Sequence, residues 1–159
     1  MSKAASPIPS GYHSITPQLT LDRAAEGMEW YKKALGAQEI ARNLGPDGKV
    51  MHAELKIGNS HFMVSDVMPG GKGPKQLGGS PAGFWIYSAD ADAAYNRAVK
   101  EGAKVEMAIA DQFWGDRAGA VRDPHGYTWW FATRKEDLSK PELEKRADEF
   151  FKQAAHASR

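Results

Sequence analysis

Two residue types at fixed spacing offer chemistry in this chain: a His52/Glu54 pair and a set of aromatics, Trp85, Tyr87 and Trp130. His52 and Glu54 are two apart, so on a strand they share one face. Such a pair could take part in a metal site or act as an acid–base couple. A solvated strand face with a local charge pair is the simpler explanation. Arg122 lies 68 residues beyond Glu54 and 68 also separates Gly58 from Gly126, so Arg122 occupies the repeat position of Glu54. An arginine there could pair with Glu54 or hold an anionic ligand. The aromatics pose the second question. In "DPHGYTWWFATR" (123–134) three large rings follow one another, and a strand sends them to opposite faces. One face can be the core. If Phe84, Ile86, Trp129 and Phe131 lie under a helix, Trp85, Tyr87, Thr128 and Trp130 look outward. Clustered outward aromatics mark a binding surface, so the second face is read as a ligand cleft or a subunit interface.

The elements that must position these residues occur twice. "WYKKALGAQEI" (30–40) and "YNRAVKEGAKVEM" (95–107) are amphipathic helix ends closed by Gly36 and Gly102. Each follows an apolar strand, "HSITPQLTL" (13–21) or "GFWIYSA" (83–89). Each precedes paired strand-like runs, 50–57 with 60–66 and 118–123 with 127–133. Each half therefore reads strand, helix, strand, strand, strand. Ile15, Leu19 and Leu21 are expected under the first helix, with Met51, Ala53, Leu55 and Ile57. Ser14, Thr16, Gln18 and Thr20 face outward with Val50, His52, Glu54 and Lys56. The plan has a flexible lead-in at 1–12, a first module at 13–67 and a Gly/Pro-rich linker at 68–82. A second module follows at 83–138, and a C-terminal amphipathic helix at 139–159. In that helix Ser139 and Glu142 form a capping box. Leu143, Ala147, Phe150, Phe151 and Ala154 make an apolar face that must be covered by the domain or a partner.

Several readings are excluded or set aside. With 21 basic and 20 acidic residues the net charge is +1, and no basic stripe argues for nucleic acid. No run is long and apolar enough for a membrane span, and the start has no apolar h-region of a signal peptide. The absence of cysteine excludes disulfides and thiolate chemistry, and a cytoplasmic location is expected. "GGKG" (70–73) lacks Walker spacing. "DPHG" is a turn, so His125 is a weak catalyst candidate, and His13, His61 and His156 carry no signal. In "WGDR" (114–117), Gly115 allows a bend, Asp116 can bond turn amides and Arg117 can tie the loop back, with closure over a cleft as the alternative.

"TPQLTLDRAAEGMEWYKKALGAQEI", "PDGKVMHAELKIGNSHFMVSD", "FWGDRAGAVRDPHGYTWWFAT" and "KEDL" resemble the vicinal oxygen chelate superfamily, most of all its PhnB-like, glyoxalase/bleomycin-resistance branch. The resemblance covers residues 13 to 138. It implies an α+β fold of two βαβββ modules, whose curved mixed sheets enclose a cavity, and often a homodimer. Its metal enzymes place His or Glu on the first and last strand of each module. Carried over, those positions fall on Thr16, on Phe62, near Gly83 with Trp85 next on that face, and on Trp130. None is a histidine or a carboxylate, phenyl offers no lone pair and the indole nitrogen is only a donor, so the usual metal site is expected to be absent. The expected site is therefore Thr16, Gln18, Phe62, Trp85, Tyr87 and Trp130, with His52, Glu54 and Arg122 at its polar end. The expected function is metal-independent binding of a small planar or aromatic molecule. The alternative is a metal-dependent lyase, isomerase or dioxygenase with a rearranged divalent-metal site built on His52 or Glu54.

Overall fold

The computed structural model describes residues 6–157. The first module runs β1 (Gln18–Leu21), α1 (Ala24–Leu35), β2 (Gln38–Leu44), β3 (Val50–Ile57) and β4 (Ser60–Asp66). A one-turn helix α2 (Pro74–Leu77) lies in the linker. The second module runs β5 (Gly83–Tyr87), α3 (Ala91–Lys100), β6 (Lys104–Asp111), β7 (Asp116–Arg122) and β8 (Thr128–Arg134), followed by α4 (Lys140–Ala157). The two sheets have the same order, β1-β4-β3-β2 and β5-β8-β7-β6, with one parallel pair each. The α+β fold of twin βαβββ modules is thus present. Both sheets are open.

The helices start and stop for local reasons. Asp90 caps α3 by accepting from the Ala93 amide at 2.9 Å. The first amide of α1, at Ala24, donates to the buried Asp66 carboxylate at 2.8 Å, and the Val50 amide donates to the other oxygen at 2.7 Å. Asp66 thus ties the helix start to the start of β3. Gly36 ends α1 in the left-handed region, at φ +69°.

One core serves both modules. Leu19, Leu21, Met28, Tyr31, Leu55 and Val64 from the first are buried in one cluster with Tyr95, Val121, Trp129 and Phe131 from the second. Polar links cross the same boundary. The Tyr31 hydroxyl donates to Asp123 at 2.9 Å, Arg97 Nε to the Ala34 carbonyl at 2.9 Å, and Trp30 Nε1 to the Glu101 carbonyl at 2.7 Å. Asp123 also accepts from Trp129 Nε1 at 2.9 Å and from the amides of His125 and Tyr127. A buried carboxylate needs such partners. Burial, with Asp123 beside it, pushes the Tyr31 hydroxyl well above its ordinary pKa.

Four sequence expectations change. β1 begins at Gln18, not near His13, because Pro17 has no amide to donate and only its carbonyl joins the ladder, accepting from Met63. Ile15, expected under α1, is 86% exposed. In β3, Val50 is buried and Met51 exposed, the reverse of the expected faces. A register shift between Asn43 and Leu44 causes this, since Asn43 pairs with His52 but Leu44 with Val50. Finally, α4 shows only half of its expected capping box, because the Ser139 amide and hydroxyl both donate to the Glu142 carboxylate, at 3.0 and 2.6 Å, and the helix buries none of its residues. Phe150 and Phe151 meet Phe113 at ring distances of 5.0 and 6.1 Å and otherwise face solvent.

Candidate functional site

The outward face of the second sheet is aromatic. β5 pairs parallel with β8 so that Trp85 lies opposite Trp130. Their rings stack at 4.5 Å and 6°. Tyr87 continues the stack on Trp85 at 6.2 Å and 23°, and Trp114 meets Trp85 edge-on at 6.4 Å. Gly83 borders the stack, and a Cβ there would meet Trp130 Nε1 at 3.5 Å, an ordinary van der Waals contact. The core partners alternate as the sequence requires: Phe84 and Trp129 tilt together at 5.0 Å on the buried face, and Phe131 is buried.

Asp116 fixes the rim. Its buried carboxylate accepts from the Tyr87 hydroxyl at 3.0 Å and from Trp114 Nε1 at 3.1 Å. The sequence reading gave Asp116 turn amides; its side chain instead holds two aromatic side chains of the outward face. Desolvation, and then the bond to Asp116, raise the Tyr87 pKa, so Tyr87 remains a donor. Arg117 ties the loop to α3, forming a bidentate pair with Asp92 at 2.6 and 2.7 Å.

A cavity of about 530 Å³ adjoins this face where β1 and β5 approach. Ile15, Thr16 and Phe62 line it from the first module, and Phe84, Trp85 and Tyr87 from the second. Of the sequence-derived site, it gathers Thr16, Phe62, Trp85 and Tyr87. Trp130 belongs to the stack behind Trp85. Gln18 lies on the outer face of the first sheet, with Nε2 3.4 Å from Ser65 Oγ.

Two placements differ from expectation. Phe62 does not look outward. It is 6% exposed and packs edge-on against Tyr31 at 5.8 Å and Trp129 at 5.9 Å, within the core, reaching the cavity from beneath. The cause is hairpin length. Eight residues, 55–62, separate Glu54 from its partner Met63, whereas five, 123–127, separate Arg122 from Thr128. The odd difference flips the face of every residue aligned across the turns. Arg122, Glu54 and His52 also form no common polar end. Arg122 pairs with Glu106, NH2 to Oε1 at 2.5 Å, on the second sheet. Glu54 accepts from Tyr12 and stands 3.2 Å from His52 Nε2, on the first.

The superfamily's metal does not fit these residues. A hydroxyl, a core phenyl and two stacked indoles occupy the carried-over positions, and indole offers no lone pair. Among the described residues no three His, Cys, Asp or Glu side chains converge to hold an ion.

Sequence reasoning missed Asp116 as the anchor of the rim and Trp114 as a member of the face. An acid two residues after a Trp, in a loop opposite a strand carrying Tyr87, was the available signal.

Comparison with known proteins agrees with the fold. Residues 13–131 match the model of the Glyoxalase/Bleomycin resistance protein/Dioxygenase superfamily. The chain belongs to this superfamily. An uncharacterised protein of Mycobacterium bovis is 41% identical over 150 residues, covering 91% of this chain and 93% of that one. Two solved structures share the superfamily fold at low identity. A PhnB protein from Bacillus cereus, described as a putative 3-demethylubiquinone-9 3-methyltransferase, has TM-score 0.59 and 15% identity, covering 76% of this chain and 99% of that one. TnmS3, an antibiotic binding protein from Streptomyces sp. CB03234, has TM-score 0.56 and 16% identity, covering 77% and 98%. Among the described residues no helix is long and apolar enough to cross a membrane.

Proposed function

We propose that this superfamily member binds a small planar or aromatic molecule without a metal, in the cavity bordered by Trp85 and Tyr87. The observation that carries the reading is the Trp85–Trp130 stack, flat and partly open, with Tyr87 extending it along the cavity. A planar ligand laid on such a face gains burial plus about 0.5–1.5 kcal/mol per aromatic pair. Thr16 from the first module and the Tyr87 hydroxyl supply polar contacts that fix orientation. The antibiotic binding protein of the same fold supports the class of function, not the ligand.

Trp85 is 44% exposed and Tyr87 61% exposed, a large aromatic area for one chain to leave in water. We therefore include a homodimer in the proposal, with the second copy shielding the outer sheet face around the ligand, in a cytoplasmic setting.

Intrinsic tryptophan fluorescence titrated with a panel of planar compounds tests this reading. Saturable quenching by at least one of them, lost in Trp85→Ala, is expected. No quenching across the panel contradicts it. Metal analysis of protein purified without chelator separates the alternative, a metal-dependent lyase, isomerase or dioxygenase. Stoichiometric metal that leaves with His52→Ala or Glu54→Ala would favour that alternative.

A further inference from the structure

A second cavity, of about 350 Å³, lies on the outer face of the first sheet, beneath residues 7–16. Its walls are partly apolar, with Pro7, Ile8 and Pro9 from the N-terminal segment, Met63 from β4 and the Tyr12 ring, and partly polar, with His13, Ser14 and Thr16. One charged group lines it, Glu54. The segment is held in place there. The Tyr12 ring stacks on His61 at 4.1 Å and 15°, its hydroxyl donates to Glu54, and His61 Nδ1 lies 2.9 Å from the Gly11 carbonyl oxygen.

Glu54 differs from the ion-paired acids around the sheets, and from Asp116 and Asp123, which among the described residues also lack a cation but are buried, in lying half-buried at a cavity wall. Glu39 is matched by Arg42 and Lys32, Asp92 by Arg117, Glu106 by Arg122 and Glu136 by Arg146. Among the described residues no Lys or Arg pairs with Glu54. Its partners are a phenol and an imidazole. Both donate to the carboxylate without cancelling its charge while the imidazole is neutral. A half-buried anion at the wall of a partly apolar cavity, with no Lys or Arg on it among the described residues, is complementary to a cation brought from outside. The Tyr12 ring adds an aromatic face to the same wall. The described residues thus supply the counter-ion and a partly apolar enclosure, and place no Lys or Arg on the carboxylate.

We propose that this cavity is a distinct site for a small organic cation, an amine or quaternary ammonium with an apolar body, and that Glu54 is its counter-ion. The site goes beyond the planar-ligand reading and does not require it. His13 and Thr16 line both cavities, so the two sites share a wall. An occupant of one therefore borders an occupant of the other.

Benzyltrimethylammonium, benzyl alcohol and benzoate differ in charge on one benzyl-sized body, and calorimetric titration of the full chain with each is the test. The cation is expected to bind, with benzyl alcohol and benzoate at least tenfold weaker. Glu54→Gln should weaken the cation at least tenfold, and Trp85→Ala should leave it within twofold. Tyr12→Phe keeps the ring and frees a carboxylate lone pair, so cation affinity should hold or rise. The Met63 methyl resonance should move on cation addition in the wild-type chain, a readout that needs no variant. Benzoate binding as well as the cation, an unchanged affinity in Glu54→Gln, or a stationary Met63 methyl each overturns the assignment. Loss of planar-ligand binding in Trp85→Ala with the cation still bound would separate the fate of this site from that of the aromatic cavity.

Discussion

At the scale of single residues, the aromatic site depends on groups that do not touch the cavity themselves. Asp116 holds Tyr87 and Trp114 through one carboxylate oxygen. Asp116→Ala strands a phenol and an indole donor, each costing about 1–3 kcal/mol if it stays buried. The variant should lose affinity for the planar ligand several-fold and melt lower, checked by calorimetry and thermal unfolding. Tyr12 gives a pH prediction. Burial, and then the neighbouring Glu54 carboxylate, push its pKa up to about 12. A pKa raised on folding means that docking favours the protonated phenol. Its contribution is complete below the ordinary tyrosine value of about 10 and fades as pH rises toward 12. The melting-temperature gap between wild type and Tyr12→Phe should therefore be constant up to about pH 10 and shrink above it. A gap that stays constant through pH 11 contradicts the assignment. The spacing of Trp114 and Asp116 was the one signal the sequence offered here. Asp116 and Asp123 sit in turn-like strings, and composition cannot show that their carboxylates serve side chains from distant elements.

At the scale of elements, the second module could be read directly and the first only partly. In β5 and β8 four core-facing positions carry large apolar side chains, so the alternation of Phe84, Ile86, Trp129 and Phe131 against Trp85, Tyr87 and Trp130 fixes the faces. In the first module a register shift in the β2–β3 pairing reversed Val50 and Met51. The unequal hairpins sent Phe62 inward, although both turns end a fixed distance after a glycine. Hairpin length and bulges are tertiary choices that a repeat offset does not encode. β6 shows what such an irregularity demands of its neighbour. Its register shifts between Met107 and Ala110 bring Ile109 across Gly119, where a Cβ would stand 2.8 Å from the Ile109 Cα. Gly119→Ala must push backbone aside, at about 1–3 kcal/mol. A denaturant midpoint unchanged in Gly119→Ala would show that β6 does not cross so closely.

At the scale of the molecule, the twin modules are joined by one core and by the Tyr31–Asp123 bond rather than by a flexible hinge. Unfolding should be a single transition by fluorescence and circular dichroism alike. Tyr31→Phe should lower the unfolding free energy by about 1 kcal/mol, because Asp123 keeps three other donors. Two open sheet faces result from this arrangement. The first is overlaid by the chain's own segment 7–16; the second shows its aromatics. The repeat has diverged into one covered polar face and one bare aromatic face. The measurement that bears most directly on it is the dissociation constant of the strongest planar quencher for wild type, Trp85→Ala and Trp130→Ala, taken with the mass of each in solution. Binding weakened about tenfold in both variants, with mass and fold unchanged, is the predicted result. Unchanged affinity, or a dimer that falls apart before any ligand effect appears, would show that these rings join subunits instead of holding a ligand.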